Sequence, residues 1–287
     1  MGNPIKHADS NKGNISGISG VALSGFRAID AYHGYEPGTF VYDDLVDFAS
    51  DGKSAQASVL DADDDDGIVR GYSILQDGTT ELTRKAEVGG VLEFEVGATN
   101  NDAEIKTGAG VAPFCKFPNT AADRKNFFFE AKVRISDVSN ASMFVGVKEP
   151  TLGGAATTTQ TISDTDNTLT SGQSLIGFWL KTNGDLVGVC SNAGTAVASS
   201  SLSTLTDATW VKLTVVFNEG PADSGQLVFA VDGTPVLTYN DVTATGSAVV
   251  TALDVDINYL GVVAFHSESG EIHCDVDHIA YGYEGAN

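Results

Sequence analysis

Paired cysteines, basic stripes and long apolar runs are what this chain of 287 residues lacks. Cys115, Cys190 and Cys274 are far apart, odd in number and without the close Cys/His spacing of a zinc site or a redox CxxC pair. They read as buried free thiols, with one disulfide plus a spare thiol as the alternative. Lys and Arg total 16 against 38 Asp and Glu, a formal charge of -22, and no basic cluster interrupts the acidity. Such a surface repels DNA and RNA, so no nucleic-acid partner is expected. No segment approaches the ~20 apolar residues that span a bilayer, and the N-terminus lacks the apolar centre of a secretory signal. No membrane is therefore expected, and synthesis is expected in the cytoplasm. Helical periodicity is nearly missing as well: Glu81 to Val88, ELTRKAEV, predicts one turn of helix, ended by Gly89-Gly90.

What is present falls into two parts, an arm over 1–39 and a body over 40–287. The arm is rich in Gly, Ser and Asn, and Lys6, Lys12 and Arg27 offset Asp9, Asp30 and Glu36, so the whole negative charge lies on the body. No period of 2 or 3.6 is sustained there. Ile15, Ile18, Val21, Leu23 and Phe26 are too few for a core but suit an extended strap lying against another protein; a solvated, disordered terminus is the other reading.

The body shows short apolar runs broken by Gly, Asn and Asp, the pattern of antiparallel strands. In FFFEAKVRI, Phe127, Phe129, Ala131, Val133 and Ile135 share one face and Glu130, Lys132 and Arg134 the other. Val211, Leu213, Val215 and Phe217 repeat the alternation, as do Leu227, Phe229 and Val231. Asn183-Gly184 and Asp232-Gly233 predict two hairpins with type I′ turns. Further strands are expected near 40–48, 69–76, 90–97, 104–117, 141–148, 257–266 and 271–283, about a dozen in all. The fold class expected is all-β, a two-sheet antiparallel sandwich with an N-terminal arm.

The order of these segments resembles the concanavalin A-like lectin/glucanase jelly roll, also called laminin-G-like. FVYDDLVDF is similar to the family's opening strand, GGVLEFEVG to an early sheet strand, and FFFEAKVRISDVSNASMFVGV to the central pair. WVKLTVVFNEGPADSGQLVFAVDGTPVLTY is the most specific segment, and IHCDVDHIAYGYE is similar to the closing strand. The resemblance covers roughly 40–284. It extends in general character to virion proteins of tailed bacteriophages, and it implies either a structural or a glycan-binding role.

Glucanases of this fold place paired carboxylates on one strand as Glu-x-Asp-x-x-Glu, because alternate residues project into the cleft together. Here Glu93/Glu95, Asp254/Asp256 and Asp275/Asp277 alternate, but none is followed by the third Glu, which makes a glycoside hydrolase the least supported class. His273, Asp275 and Asp277 share a face of the last strand, either as a metal or acid/base cluster or as a solvated edge, with His278 expected on the opposite face. The run from Asp61 to Gly67 offers hard oxygens from Asp61, Asp63 and Asp65, a candidate Ca2+ loop, although Tyr72 stands where an EF-hand needs Glu. A solvated acidic loop is the plain alternative, and no other cofactor is implied. Trp179 shares a face with Lys181, opposite to Ile176, Phe178 and Leu180. It is the candidate sugar platform; a core ring between the two sheets is the plainer reading.

Together these point to a non-enzymatic decoration or cement protein on a phage's outer capsid surface. Its arm would grip the major capsid protein and its copies would form a homo-oligomer, a trimer at local three-fold positions. The alternative is a carbohydrate-binding, lectin-like module touching host glycans. Deleting residues 1–38 should leave a folded sandwich that no longer co-sediments with particles; equal particle binding by the truncated chain contradicts the arm's role.

Overall fold

A strand that alternates apolar and charged residues must hide one face, and two such sheets do so by packing face to face about 10 Å apart. The computed structural model describes residues 41–47, 67–69, 72–76, 80–85, 91–97, 100–107, 115–117, 126–149, 161–163, 168–170, 172–192, 195–218, 225–240 and 257–283. The strap residues Ile15, Ile18, Val21, Leu23 and Phe26 and the loop residues Asp61, Asp63 and Asp65 lie outside these described residues.

Among the described residues eighteen strands follow in order: β1 (Val41–Asp47), β2 (Gly67–Val69), β3 (Tyr72–Gln76), β4 (Glu81–Lys85), β5 (Val91–Val96), β6 (Asp102–Lys106), β7 (Cys115–Phe117), β8 (Phe127–Ile135), β9 (Ala141–Lys148), β10 (Leu175–Leu180), β11 (Asp185–Asn192), β12 (Thr195–Ala198), β13 (Ser203–Thr204), β14 (Val211–Asn218), β15 (Gln226–Val231), β16 (Thr234–Tyr239), β17 (Ile257–Ser267) and β18 (Ile272–Tyr283). An eight-stranded sheet runs β16-β15-β14-β8-β18-β5-β4, with β1 beside β18. A ten-stranded sheet runs β12-β11-β10-β9-β17-β6-β3-β2, with β13 on β11 and β7 on β17.

Between the sheets lies one apolar core. Phe127, Phe129, Ala131, Val133 and Ile135 meet Met143, Val145, Val147, Ile176, Phe178 and Leu180 from the other sheet, as the alternation required. Phe178 and Phe229 contact edge to face at 5.3 Å, and Tyr239 extends the cluster at 6.2 Å from Phe229. Gly261 admits the Phe129 ring, since a Cβ there would fall 2.2 Å from it. The three cysteines are buried and free, and burial pushes all their thiols up, Cys190 to about 12.

Several local expectations change. Of the segment expected to turn as a helix, Glu81–Lys85 is strand β4: Leu82 is fully buried and pairs with Phe94, so tertiary packing overrides local propensity. The single strand expected over 69–76 is the β2–β3 hairpin, and the one expected over 104–117 divides into β6 and β7. The Asp232-Gly233 turn has both residues at positive φ, 49° and 81°, as a type I′ turn demands. At Asn183-Gly184 only the glycine does, at 81°, and Gly184 donates to the Lys181 carbonyl. That hairpin therefore closes by a turn with a left-handed glycine at its end, not by type I′.

Candidate functional site

Packing one face inward delivers the other face of each strand outward, and on the eight-stranded sheet that face is a band of interlocked charge. Glu93 on β5 stands opposite Asp275 on β18, and Arg134 on β8 stands opposite Asp275 from the other side. Lys85, at the end of β4, bonds to Glu93 and reaches Asp275 Oδ1 at 2.9 Å. Arg134 donates to Asp275 Oδ2 from Nε at 2.7 Å and from its terminal nitrogen at 2.5 Å. Burial alone would lower the Lys85 ammonium, but the two carboxylates outweigh it and hold it above the usual lysine range.

These groups line a cavity of about 340 Å3 together with Ser136, Ala208 and His273. Its walls are firmly placed. Ser136 and His273 are tied by two bonds of 2.9 Å, one from the Ser136 N–H to the His273 carbonyl and one from the His273 N–H to Ser136 Oγ. Ala208 holds a left-handed backbone at φ 52°, a conformation that costs an alanine about 1 kcal/mol and is found where a wall must be shaped. Trp210, just before β14, carries Arg134 on its ring at 4.5 Å and Lys132 at 5.0 Å.

The band continues across the sheet. Lys132 donates to Asp277 Oδ2 at 2.5 Å, and buried Glu130 accepts from Thr214 at 2.7 Å and lies 3.3 Å from His278 Nε2. His278 was expected on the opposite face. A bulge between Val276 and His278 leaves Asp277 as the extra residue, so Asp277 and His278 both reach the outer side. The alternating pairs Glu93/Glu95 and His273/Asp275 are thus brought onto one surface. Lys85, Arg134 and Trp210 complete it; the sequence puts Arg134 on an outer face and Trp210 at the head of a strand, but their meeting with these carboxylates is not local, since Arg134 and Asp275 are 141 residues apart.

The other sheet's outer face is different. Trp179 stands there and not between the sheets, which corrects the core reading. The ring is half-buried, its Nε1 donates to Ser142 Oγ at 3.0 Å, and the Lys181 ammonium lies 5.1 Å from its centre. Beside it Phe144, Leu175, Val262 and Ala264 are covered by Ile162, which bridges to Leu169. Under the same cover Lys148 pairs with Glu104 at 2.6 Å and bonds Thr161 Oγ1 at 2.9 Å, while the Thr161 N–H donates to Glu104. Burial pushes the Glu104 carboxyl up, but Lys148, Lys106 and the Thr161 N–H bring it below the ordinary range. Among the described residues this cover closes over the Lys148–Glu104 pair, whereas the charged cavity is open on the eight-stranded sheet.

Antiparallel strand order, two stacked sheets and an inner aromatic core define the architecture. The fold is the concanavalin A-like lectin/glucanase jelly roll. No protein-family model matches the chain, and no curated protein does. Among solved structures, the endo-β-1,4-glucuronan lyase of the fungus Trichoderma reesei aligns at TM-score 0.52 and 13% identity, over 79% of this chain and 96% of that one. A protein of unknown function, SO2946 of Shewanella oneidensis MR-1, aligns at TM-score 0.52 and 15% identity, over 91% and 95%. At such identities the likeness is one of fold.

Glu104 contributes stability above its unfolded pKa, about 4.3, and that contribution is lost as pH falls through its lower folded value. The urea midpoint of the wild type should therefore drop below about pH 4. Glu104→Gln alone should cost about 3–5 kcal/mol by stranding Lys148, whereas Glu104→Leu with Lys148→Met should be nearly neutral and flatten the acid limb. Equal cost for the single and double variants contradicts this reading of the pair.

Proposed function

We propose that this protein is a non-enzymatic carbohydrate-binding module whose ligand sits in the charged cavity of the eight-stranded sheet. The observation that carries the reading is the Arg134–Asp275–Lys85–Glu93 array lining that cavity, with Trp210 beside it. Sugar recognition needs fixed donors and acceptors for hydroxyls, which the cavity lining supplies, and an aromatic ring for apolar sugar faces, which Trp210 would offer at its edge next to Arg134. A volume of about 340 Å3 suits the end of a glycan in preference to an extended chain. The carboxylates already carry cations and the body is strongly acidic, so the reading favours neutral sugars over uronic or sialic acids. The like-folded Trichoderma reesei protein is a glucuronan lyase, which agrees with a sugar-related role.

Catalysis is disfavoured by the same contacts. A glycosidase needs one protonated carboxyl beside one ionised carboxylate. Here a single ammonium bridges Glu93 and Asp275, and Arg134 holds the latter as well, so both carboxylates are already taken up by cations.

The role as a capsid decoration protein is a second proposal, and both can hold for one virion protein. It assigns docking on the major capsid protein to residues 1–39 and a solvent-facing place on the outer capsid to the sandwich, with the copies forming a trimer at local three-fold positions.

A glycan array followed by calorimetry tests the first proposal. Neutral glycans should bind, Trp210→Ala and Arg134→Gln should each weaken binding at least tenfold, and no new reducing ends should appear. Absence of any reproducible glycan, or binding lost in Trp179→Ala and kept in Trp210→Ala, removes the assignment to this cavity.

A further inference from the structure

At one end of the charged cavity, acidic side chains gather without a matching cation among the described residues. Glu95 on β5 faces Glu81 on β4 and His273 on β18 directly across the ladder. Like charges set opposite each other in an antiparallel pair repel, and a sheet normally avoids the arrangement. Glu93 and Glu271 crowd the same corner, with His273 Nδ1 3.3 Å from Glu93 and its Nε2 3.3 Å from Glu271. Lys85, the nearest lysine on β4, is already engaged by Glu93 and Asp275, and Glu95 has no ion-pair partner among the described residues.

Geometry adds an independent point. One ligand atom from each of Glu95, Glu271 and His273 falls within 4.8 Å of the other two. Metal bonds of about 2.0–2.2 Å place ligand atoms about 3–4 Å apart, a spacing that a small rotation of exposed Glu271 reaches. The main chains of Glu95 and His273 are fixed by strand pairing, and that of His273 also by Ser136, so two of the three donors start from set positions on neighbouring strands.

We propose that Glu95, Glu271 and His273 form a binding site for a divalent transition-metal ion of the Mn2+ or Zn2+ type. An imidazole with two carboxylates is an N/O set that suits these ions, whereas Ca2+ and Mg2+ prefer oxygen alone. The ion would supply the charge that Glu81 and Glu95 lack and would border the cavity through His273. This site uses none of Asp61, Asp63 and Asp65, and it does not depend on the sugar reading.

The test titrates the full chain, without any glycan, with MnCl2, ZnCl2, CaCl2 and MgCl2 by calorimetry, and follows Mn2+ by pulsed electron paramagnetic resonance. One Mn2+ or Zn2+ ion should bind, with nitrogen coupling to Mn2+. His273→Gln should abolish that coupling, and His273→Gln and Glu271→Gln should each weaken affinity at least tenfold while leaving the metal-free urea midpoint unchanged. Replacing Asp61, Asp63 and Asp65 by Asn should leave this ion in place. The proposal is overturned by no binding, by equal affinity in the His273 and Glu271 variants, or by Ca2+ or Mg2+ binding as tightly as Mn2+ and Zn2+.

Discussion

Each long strand has to bury one face against the opposite sheet, and in doing so it sends every second residue to the outside. That single requirement places Phe127, Phe129 and Ala131 in the core and Glu130, Lys132 and Arg134 on the surface. It also sets the electrostatic problem, because a chain of net charge -22 has few cations to spread over those outward positions. The structure concentrates them. Lys85, Lys132, Arg134 and Lys212 all face carboxylates on one sheet, and Arg134 and Lys132 share the Trp210 ring.

The two outer faces resolve the same problem in opposite ways. On the ten-stranded sheet, Ile162 and Leu169 cover the apolar patch around Phe144, and Thr161 closes over the Lys148–Glu104 pair. On the eight-stranded sheet the charged groups bind each other in the open, around a cavity whose wall includes a strained alanine. A partly buried ion cluster of this kind adds little to stability compared with apolar packing. Its placement beside the Trp210 ring is what the proposed ligand site uses.

Strand alternation was legible wherever period 2 ran undisturbed, as in FFFEAKVRI and in Val211, Leu213, Val215 and Phe217. Asp232-Gly233 was legible because its turn chemistry is local. Glu81 to Lys85 was not, since an isolated stretch of helix formers gives no sign that Leu82 will pack opposite Phe94. The bulge at Asp277 was equally silent, and it alone moves His278 across the sheet. The site was half legible. The carboxylates and His273 stood out as alternating pairs, but the cations that make them a constellation arrive from strands far away in sequence, and only the fold brings Trp210 beside them.

The central claim is that the charged cluster is kept for a ligand and does not hold the sandwich together. Urea unfolding of the quadruple variant Lys85→Met, Glu93→Gln, Arg134→Met and Asp275→Asn tests this most directly. The account predicts a midpoint stability within about 1 kcal/mol of wild type, with an unchanged slope and a folded β spectrum. A loss of about 4 kcal/mol or more, in the range of a core deletion, would contradict it and make the cluster part of the scaffold.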